Sequence, residues 1–364
     1  MEKDEELITN ITVAMSGGVD SSVAAALLVE KGFSVTGVML QTWADGTTPG
    51  MNGIAQERAC EIANQLQIPF QVVNVTSEFK KQVINYFIES HSNGVTPNPC
   101  YVCNRSIKWG LLLDYALRSG ADKLASGHYA QLKRGENGNY LLYRAMDKTK
   151  DQSYVLAALQ QSQLRYAMFP LGKYSKKEIR DVAHSYNFPI KEEEESQDLC
   201  FLEGSSQEDF LRRYAPELFS PGVITTEEGD VIGKHEGLAL YTIGQRKGIQ
   251  ISHREPYYIL SKDVQTNSLV VGTRSALGKR QIRVTNVNWI SGEEPPLPSQ
   301  FQIKVRYRAD AVEGLITRDR SSSYNITFKE LVRDPTPGQY AVFYDGDMVV
   351  GSGVISGVPA GVNS

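Results

Sequence analysis

The sequence has 364 residues, 41% of them hydrophobic, and a formal net charge of −4. This length and apolar content favour a globular protein of two or three domains. The negative charge argues against a chain that coats nucleic acid nonspecifically, because such binding needs an excess of Lys and Arg. The acidic start and the lack of a run of about 18 apolar residues predict a cytoplasmic protein without membrane insertion. Four cysteines are too few for a disulfide scaffold, so we expect free thiols.

The first 200 residues alternate β-branched runs with helical patterns, which is typical of an α/β fold with a mainly parallel sheet. The runs predict strands over 8–14, 34–40 and 70–75, with a helix over 19–31. Apolar residues that recur on one face predict two further helices. These residues are Ala59, Ile62, Ala63 and Leu66 in one helix, and Ile107, Leu111 and Tyr115 in the other.

After about residue 204 the sequence changes to short runs rich in Val, Ile, Tyr and Thr, such as 282–290 and 302–307, separated by Gly and Pro. This composition predicts small β barrels or sheets. The segment 293–298, Glu-Glu-Pro-Pro-Leu-Pro, predicts a surface loop. We therefore predict an α/β domain over 1–203, followed by two smaller, mainly β domains over 204–279 and 280–364.

A glycine- and serine-rich segment, Ala14-Met-Ser-Gly-Gly-Val-Asp-Ser-Ser22, joins the first predicted strand to the first predicted helix. Gly17 and Gly18 permit tight turns and close approach of a ligand, and the following helix directs N–H groups and its positive dipole end at an anion. Asp20 either orients the loop or helps to hold Mg²⁺. The segment contains no lysine and no Walker-type motif, so it predicts a different kind of phosphate site. The structural alternative is a Gly-Ser turn with an Asp cap.

The pattern Ser16-Gly-Gly-x-Asp-Ser-Ser22 resembles the PP-loop of ATP pyrophosphatases, which cleave ATP between the α- and β-phosphates and adenylate a carbonyl oxygen. The resemblance implies an adenine nucleotide alpha-hydrolase-like parallel sheet with helices on both faces, and ATP with Mg²⁺ as cofactors. We expect Leu40 to contact the adenine, because it ends the second strand at the carboxyl edge of the sheet. The predicted ATP-binding residues are Ala14, Met15, Ser16, Gly17, Gly18, Val19, Asp20, Ser21, Leu40 and Gly127.

The cysteines are a second source of chemistry. Cys103 precedes a helical pattern, and a helix N-terminus lowers the pKa of a thiol and makes its thiolate available. Cys200 lies far away in the sequence, in Glu195-Ser-Gln-Asp-Leu-Cys-Phe-Leu202. The structural alternative for any single cysteine is a buried small hydrophobic residue, and we expect this for Cys60, beside the apolar face of a predicted helix.

These blocks are similar to those of the tRNA-specific 2-thiouridylases over nearly the whole chain. Cys103 and Cys200 match the two catalytic cysteines of that family, and further blocks agree in order at 126–130, 150–153, 233–237, 241–248, 305–308 and 337–339. The resemblance implies an enzyme that adenylates O2 of a flipped-out wobble uridine in tRNA and replaces this oxygen with sulfur. A donor protein would deliver the sulfur to Cys200 as a persulfide. Cys103 would then attack either the persulfide or the activated carbon, and a disulfide between the two cysteines fits both versions.

Cys100 departs from the commoner family pattern, in which an aspartate occupies this position. The proton-transfer role is therefore open, with Cys100 and His128 as candidates. The change also creates Cys100-x-x-Cys103, a spacing that zinc, redox and iron–sulfur sites share. An iron–sulfur cluster on Cys100, Cys103 and Cys200, as in some other PP-loop thiolases, is one alternative. A closed zinc site is disfavoured, because it needs about four ligands.

The resemblance also implies where tRNA is bound, with one stretch meeting the target base and others meeting the rest of the RNA. We expect His128 in the active cleft, with a histidine satisfied inside the sheet as the alternative. Arg306 and Arg308 are predicted to share one face of a strand that follows phosphates, with solvated surface charge as the alternative. The predicted base- and tRNA-contacting residues are Asn98, Pro99, Cys100, His128, Lys150, Asp151, Gln152, Arg306, Tyr307 and Gln339.

Two other functions stay open from the sequence. A PP-loop C–N ligase shares the adenylation loop but has no need of two distant cysteines. An RNA-binding module with a vestigial nucleotide fold would bind tRNA without consuming ATP.

Overall fold

The computed structural model describes residues 9–43, 51–189, 199–202, 204–249, 251, 254–319 and 322–357. Ile8, the predicted start of the first strand, lies outside the described residues. The first region alternates strands and helices in the predicted α/β order. Its elements are β1 (Asn10–Ala14), α1 (Val19–Glu30), β2 (Ser34–Gln41), α2 (Met51–Gln65), β3 (Phe70–Asn74), α3 (Thr76–Phe79), α4 (Asn85–Ser92), α5 (Pro99–Cys103), α6 (Leu113–Arg118), β4 (Lys123–Ser126), β5 (Ala130–Arg134), β6 (Tyr140–Arg144), α7 (Ser153–Leu156), α8 (Gln161–Leu164), β7 (Ala167–Met168) and α9 (Lys176–Ser185).

The central sheet is parallel and has the strand order β3-β2-β1-β4-β7. In register, Ala14 at the end of β1 pairs with Val38 of β2 and Ser126 of β4. One face of the sheet packs against α1, α2 and α9, and the other packs against α5 and α6. The predicted α/β class, with helices on both faces of a parallel sheet, is therefore confirmed.

The helix that follows Asn98 differs from its prediction. Its middle, Asn104–Leu112, is a π-helix, in which side chains five residues apart share a face. Leu112 is therefore buried together with Ile107, whereas Leu111 is only half-buried. The spacing of four predicted that a helix is present but not which face it buries.

The apolar face predicted for α2 is confirmed, since Ala59, Ile62 and Ala63 are fully buried. The expectation that Cys60 is buried is wrong, and its side chain is exposed. The buried face of α2 is narrow and consists of small side chains, so a residue adjacent to Ala59 in sequence already faces solvent.

The middle region combines one helix with a small mixed sheet. The helix begins at a capping box between Ser206 and Asp209, and the sheet has the order β10-β11-β8-β9 around a core that includes Ile224, Ile259 and Leu269. Its elements are α10 (Gln207–Tyr214), β8 (Gly222–Thr225), β9 (Val231–His235), β10 (Tyr258–Asp263) and β11 (Ser268–Gly272).

The last region is a β barrel. Its elements are β12 (Gly278–Trp289), β13 (Ser299–Lys304), β14 (Val312–Arg318), β15 (Tyr324–Arg333), β16 (Tyr340–Asp345) and β17 (Met348–Gly357). The order is β12-β15-β14-β13-β16-β17, and β12 pairs with β17 to close the barrel. The predicted loop over 293–298 is confirmed between β12 and β13.

The barrel sheet extends into the first region. The hairpin of β5 and β6 continues it beyond β17, where Met348 pairs with Tyr143. Buried polar contacts add to this connection, since Asn288 of β12 donates to the carbonyl oxygens of Ala157 and Leu159 at 2.9 and 2.8 Å. None of the described helices has the length and apolar character needed to cross a bilayer.

Candidate functional site

The glycine- and serine-rich loop lies where the sheet changes direction. The chain runs from β1 outward to β2 and β3, and then returns on the other side of β1 with β4. Because parallel strands end at the same edge, the loops after β1 and β4 lie side by side, and open α/β sheets bind ligands at such a point. Leu40 is half-buried near the end of β2, where it pairs with Val73 of β3.

Gly17 makes the turn of this loop. Its φ of +73° lies in the left-handed region, and a Cβ there would lie 2.3 Å from the carbonyl oxygen of Ala55. The loop is held by its own serines, because Ser21 Oγ accepts from Ser16 N at 3.1 Å and donates to Gly18 O at 3.1 Å. Gly18 is the N-cap of α1 and has no capping side chain, so no side chain competes with an anion for the amides of the first turn.

Asp20, in the first turn of α1, is held by two residues that the sequence analysis did not identify. Its Oδ1 accepts a hydrogen bond from the hydroxyl of Tyr129 at 2.6 Å and forms an ion pair with Lys176 Nζ at 2.7 Å. Lys176 is 8% exposed and begins α9, which is fixed by a capping box between Ser175 and Glu178. The predicted loop contains no lysine, but the fold supplies a cation from 156 residues away. No local pattern in the sequence indicates this contact.

The loop after β4 packs directly on the start of α1. A Cβ on Gly127 would lie 2.7 Å from the amide nitrogen of Ser21, so the close approach requires glycine. The next residue, His128, is buried, with its Nδ1 2.7 Å from Ser126 Oγ. Burial lowers the pKa of His128 well below its usual value, and Lys108 lowers it further. The imidazole is therefore neutral near pH 7, and the place of His128 in the active cleft stays a prediction.

Cys103 does not lie at a helix N-terminus as the sequence indicated. The helix begins earlier, with Asn98 as N-cap, accepting from Tyr101 N at 3.1 Å, and Pro99 in the first turn. Cys103 is consequently one turn inside the helix and buried. Desolvation raises its pKa to about 12, and the expectation of a lowered pKa is wrong.

The fold brings Cys100, Cys103 and Cys200 together. Cys103 packs in one apolar cluster with Phe201, the neighbour of Cys200, and Phe201 in turn packs on Phe87. Besides desolvation, the charges of Cys200 and Cys100 raise the pKa of Cys103, and Cys100 raises the pKa of Cys200, which desolvation brings to about 11. Since charges act on one another in this way only at short range, the three sulfurs lie in one neighbourhood. Cys103 is buried, whereas Cys100 and Cys200 keep exposed surface.

Lys108 is a second cation that the sequence analysis did not identify. It lowers the pKa of Cys100, of Cys103 and of Cys200, so it lies close to all of these thiols. It also lowers the pKa of His128. Lys108 follows Cys103 by five residues, and the π-helix places residues five apart on one face.

The side chains of Cys100, Cys103 and Cys200 are also potential metal ligands. Among the residues of the described ranges, no group of three or more His, Cys, Asp or Glu side chains is placed to hold a metal ion. Cys100, Cys103 and Cys200 lie near one another but are not such a group, and the iron–sulfur alternative stays a prediction.

Several residues that were predicted to contact tRNA form hydrogen bonds within the protein. Asp151 Oδ1 accepts from Ala145 N at 3.0 Å, and Gln152 Oε1 accepts from Tyr129 N at 2.9 Å. Gln339, on the barrel, donates to the carbonyl oxygens of Thr96 and Pro97, at 3.1 and 2.9 Å, and so holds the segment that leads into Asn98. Lys150 lies at the start of the same 150–152 loop.

The prediction that Arg306 and Arg308 share one face of a strand is wrong, because β13 ends at Lys304 and the following residues form a turn. Arg306 donates to Asp334 Oδ2 at 2.8 Å, to Ile243 O at 2.9 Å and to Thr336 Oγ1. It therefore joins the barrel to the middle region. Tyr307 is 41% exposed and close enough to Cys100 for that thiol to contribute to its raised pKa, after desolvation and Asp151.

Comparisons with known proteins agree with this architecture. Residues 9–204 match the family model described as tRNA methyl transferase HUP domain, residues 208–273 the tRNA methyl transferase PRC-barrel domain, and residues 279–355 the aminomethyltransferase beta-barrel domain. The tRNA-specific 2-thiouridylase MnmA of Chloroflexus aurantiacus is 40% identical over 358 residues, which cover 96% of this chain and 99% of that protein.

The chain belongs to the tRNA-specific 2-thiouridylase family. A second member, MnmA of Moorella thermoacetica, is 41% identical over 95% of this chain and 99% of its own length. Among solved structures, the U34-tRNA thiolase NcsA of Methanococcus maripaludis aligns with a TM-score of 0.36 and 19% identity, over 57% of this chain and 68% of that one. This similarity is too low for a comparison of the two sites.

Proposed function

We propose that this 2-thiouridylase family member is a tRNA 2-thiouridine synthase. It adenylates O2 of the wobble uridine with ATP and replaces that oxygen with sulfur from a cysteine persulfide, releasing pyrophosphate and AMP. The observations that support the proposal are a glycine-turned anion loop at the edge of the sheet and the packing of Cys103 with Phe201, which brings two cysteines distant in sequence near each other.

The adenylation step uses the loop after β1. Residues 14–21 and Gly127 would hold the phosphates, with Leu40 against the adenine, because the uncapped N-terminus of α1 attracts an anion. Mg²⁺, held in part by Asp20, would supply charge neutralisation for the departing pyrophosphate. Lys176 provides a further buried positive charge beside Asp20. The residues present fit a magnesium nucleotide, since they combine a carboxylate, hydroxyls and backbone amides.

The sulfur step uses Cys200 and Cys103. Cys200 keeps exposed surface, so a donor protein can reach it, whereas Cys103 is buried beside it. With pKa values raised to about 11 and 12, both thiols rest protonated near pH 7 and are protected from adventitious oxidation. Lys108 is the cation that would stabilise a thiolate when a proton leaves. In one version Cys103 attacks the inner sulfur of the Cys200 persulfide, which forms the disulfide and releases hydrosulfide, and the hydrosulfide displaces AMP from C2. In the other version Cys103 first displaces AMP from C2 and the outer persulfide sulfur then displaces Cys103 from the carbon. The freed Cys103 thiolate attacks the Cys200 sulfur, which forms the disulfide and leaves the outer sulfur on C2.

The partners are a tRNA with its wobble uridine extruded and a protein that carries a persulfide. The target base would lie against Asn98, Pro99, Cys100 and His128, with tRNA along Lys150, Asp151, Gln152, Tyr307 and Gln339. Arg306 would support this surface through its contacts with Asp334 and Thr336. A tRNA substrate and thiols kept reduced both favour the cytoplasm.

The test measures 2-thiouridine in tRNA nucleosides by mass spectrometry, in cells that lack the protein and in reactions with purified protein, ATP, tRNA and a persulfide donor. We expect loss of 2-thiouridine in the cells. In the reactions, Cys200→Ser and Cys103→Ser should abolish product, whereas Cys60→Ser, on the exposed side of α2, should not.

Two outcomes would contradict this assignment. Full turnover by Cys200→Ser would reject sulfur chemistry at that residue and favour a C–N ligase. A brown, iron-containing protein from anaerobic purification that loses activity with its iron would favour a cluster-dependent thiolase.

A further inference from the structure

The carboxylate of Asp20 is the meeting point of three separate segments. Tyr129, from the loop after β4, and Lys176, from α9, both donate to the same oxygen, Oδ1, at 2.6 and 2.7 Å. Both donors are buried, at 2% and 8% exposure. Two donors on one carboxylate oxygen offset part of the negative charge that a bound cation would otherwise receive.

Tyr129 is in turn fixed to the loop predicted to contact tRNA. Its backbone N–H donates to Gln152 Oε1 at 2.9 Å, and the backbone N–H of Gln152 donates to the carbonyl oxygen of Tyr129 at 2.8 Å. Gln152 therefore holds the backbone of Tyr129, and the hydroxyl of the same residue is bound to Asp20. Gly127, two residues before Tyr129, packs directly on the backbone of Asp20, where an added Cβ would lie 2.7 Å from the Asp20 carbonyl carbon.

We propose that Tyr129 is a positioning residue that couples RNA binding at the loop of residues 150–152 to the binding of magnesium ATP at Asp20. This inference rests on the proposed function. In the free protein, Gln152 holds Tyr129 so that its hydroxyl is bound to Asp20. When RNA engages Gln152, the bond from Tyr129 N to the Gln152 side chain breaks, the hydroxyl of Tyr129 leaves Asp20, and Asp20 Oδ1 regains an acceptor site for Mg²⁺. ATP is then bound tightly only when the substrate base is present.

The proposal predicts a change in ATP affinity opposite in direction to the change that a damaged fold would cause. If Tyr129 restrains Asp20, removal of its hydroxyl should raise the affinity for magnesium ATP in the absence of RNA, whereas a damaged site would lose affinity. By linkage, tRNA and ATP must strengthen each other by the same factor, so the factor can be measured from either side.

The experiment measures the Kd of a non-hydrolysable ATP analogue with Mg²⁺, by calorimetry, with and without saturating tRNA transcript that carries an unmodified wobble uridine. For the unaltered protein we expect tRNA to lower the Kd by about fivefold or more, as is typical of coupled sites. In Tyr129→Phe the factor should fall below about twofold, with the Kd without tRNA approaching that of the unaltered protein with tRNA.

A matched control exists at the opposite end of α1, where the hydroxyl of Tyr186 donates to Glu30 at 2.7 Å. Tyr186→Phe removes the same kind of bond from the same helix and should keep the full coupling factor. Gln152→Met removes the side-chain bond to Tyr129 N and keeps the backbone bond. It should also reduce the factor below about twofold, so it tests the coupling if Tyr129→Phe does not fold.

The inference is overturned if Tyr129→Phe or Gln152→Met retains the full factor, if Tyr129→Phe weakens ATP binding equally with and without tRNA, or if the unaltered protein has no coupling. These outcomes differ from failure of the proposed function, in which the unaltered protein forms no 2-thiouridine at all.

Discussion

The ring of Tyr101, on the helix that carries Cys103, stacks on the ring of Tyr340 of the barrel, with centroids 3.4 Å apart and an interplanar angle of 16°. The hydroxyl of Tyr101 lies 2.7 Å from Ser352 Oγ on the neighbouring strand. The barrel therefore supports the cysteine-bearing helix directly.

Tyr340→Ala should lower the free energy of unfolding by about 3 kcal/mol, because it removes a buried ring together with its stacking contact to Tyr101. Urea unfolding measures this change. Tyr340→Phe keeps the stack and should cost about 1 kcal/mol or less. Equal losses in both variants would mean that the hydroxyl, and not the stacked ring, stabilises the contact.

Alkylation of the thiols should depend steeply on pH. Desolvation raises the pKa of Cys103 to about 12 and that of Cys200 to about 11, so the thiolate fraction of each grows about tenfold per pH unit between about pH 7 and 9. The rate of reaction with iodoacetamide, followed by mass spectrometry of the Cys200 peptide, should rise in parallel.

Lys108 lowers the pKa of these thiols, so Lys108→Met should slow alkylation of Cys200 at every pH in that interval. Lys177 is an exposed cation on α9, and Lys177→Met serves as the control that should leave the alkylation rate unchanged. A rate that is flat with pH, or equal in Lys108→Met and the unaltered protein, would contradict the electrostatic account of the cluster.

Gly127→Ala should weaken binding of an ATP analogue by about tenfold or more, because its Cβ would lie 2.7 Å from the amide nitrogen of Ser21 and displace the first turn of α1. Calorimetry gives the affinity. Gly53→Ala is the matched control, since a Cβ there meets nothing within 4 Å and the residue lies in α2. An unchanged affinity in Gly127→Ala would separate the loop after β4 from the nucleotide site.

Arg306→Ala should destabilise the protein more than it weakens RNA binding. Asp334 is 9% exposed and would lose the nearer of its two charged partners, keeping only Arg333 Nε at 3.5 Å from Oδ1. This predicts a loss of about 1–2 kcal/mol once the partial exposure of Arg306 is allowed for. Denaturant unfolding measures this loss. The slope of log Kd for tRNA against log salt should stay the same, whereas a slope reduced by about one would mean that Arg306 contacts a phosphate.

The sequence predicted those parts of the site that depend on neighbouring residues. The strand, loop and helix around Gly17 follow from local patterns, and the structure keeps their bounds to within two residues at each end. The pairing of Cys103 with Cys200 came from resemblance, and no spacing in the sequence required it. The structure adds the packing of Phe201 that brings these cysteines together.

The parts that were not predicted depend on distant residues or on small changes in the backbone. Lys176 and Tyr129 reach Asp20 from segments more than 100 residues away, and a single sequence carries no sign of such contacts. The π-helix after Cys103 has the same composition as an α-helix. The change of helical period that brings Lys108 toward the thiols therefore could not be predicted from the sequence. Arg306 was misplaced because its strand ends two residues before it.

The hairpin of β5 and β6 has a consequence for how the chain can be divided. Strand β6 pairs with β17 of the barrel, where Tyr143 lies opposite Met348. The backbone N–H of Arg144 also donates to the carbonyl oxygen of Asp347 at 2.8 Å. A fragment that stopped before the barrel would leave the backbone of β6 open along one side, ready to recruit strands from other molecules. The truncated protein would then aggregate through this strand edge. A chimaera made from two relatives would have to take the β5–β6 hairpin and the barrel from the same parent.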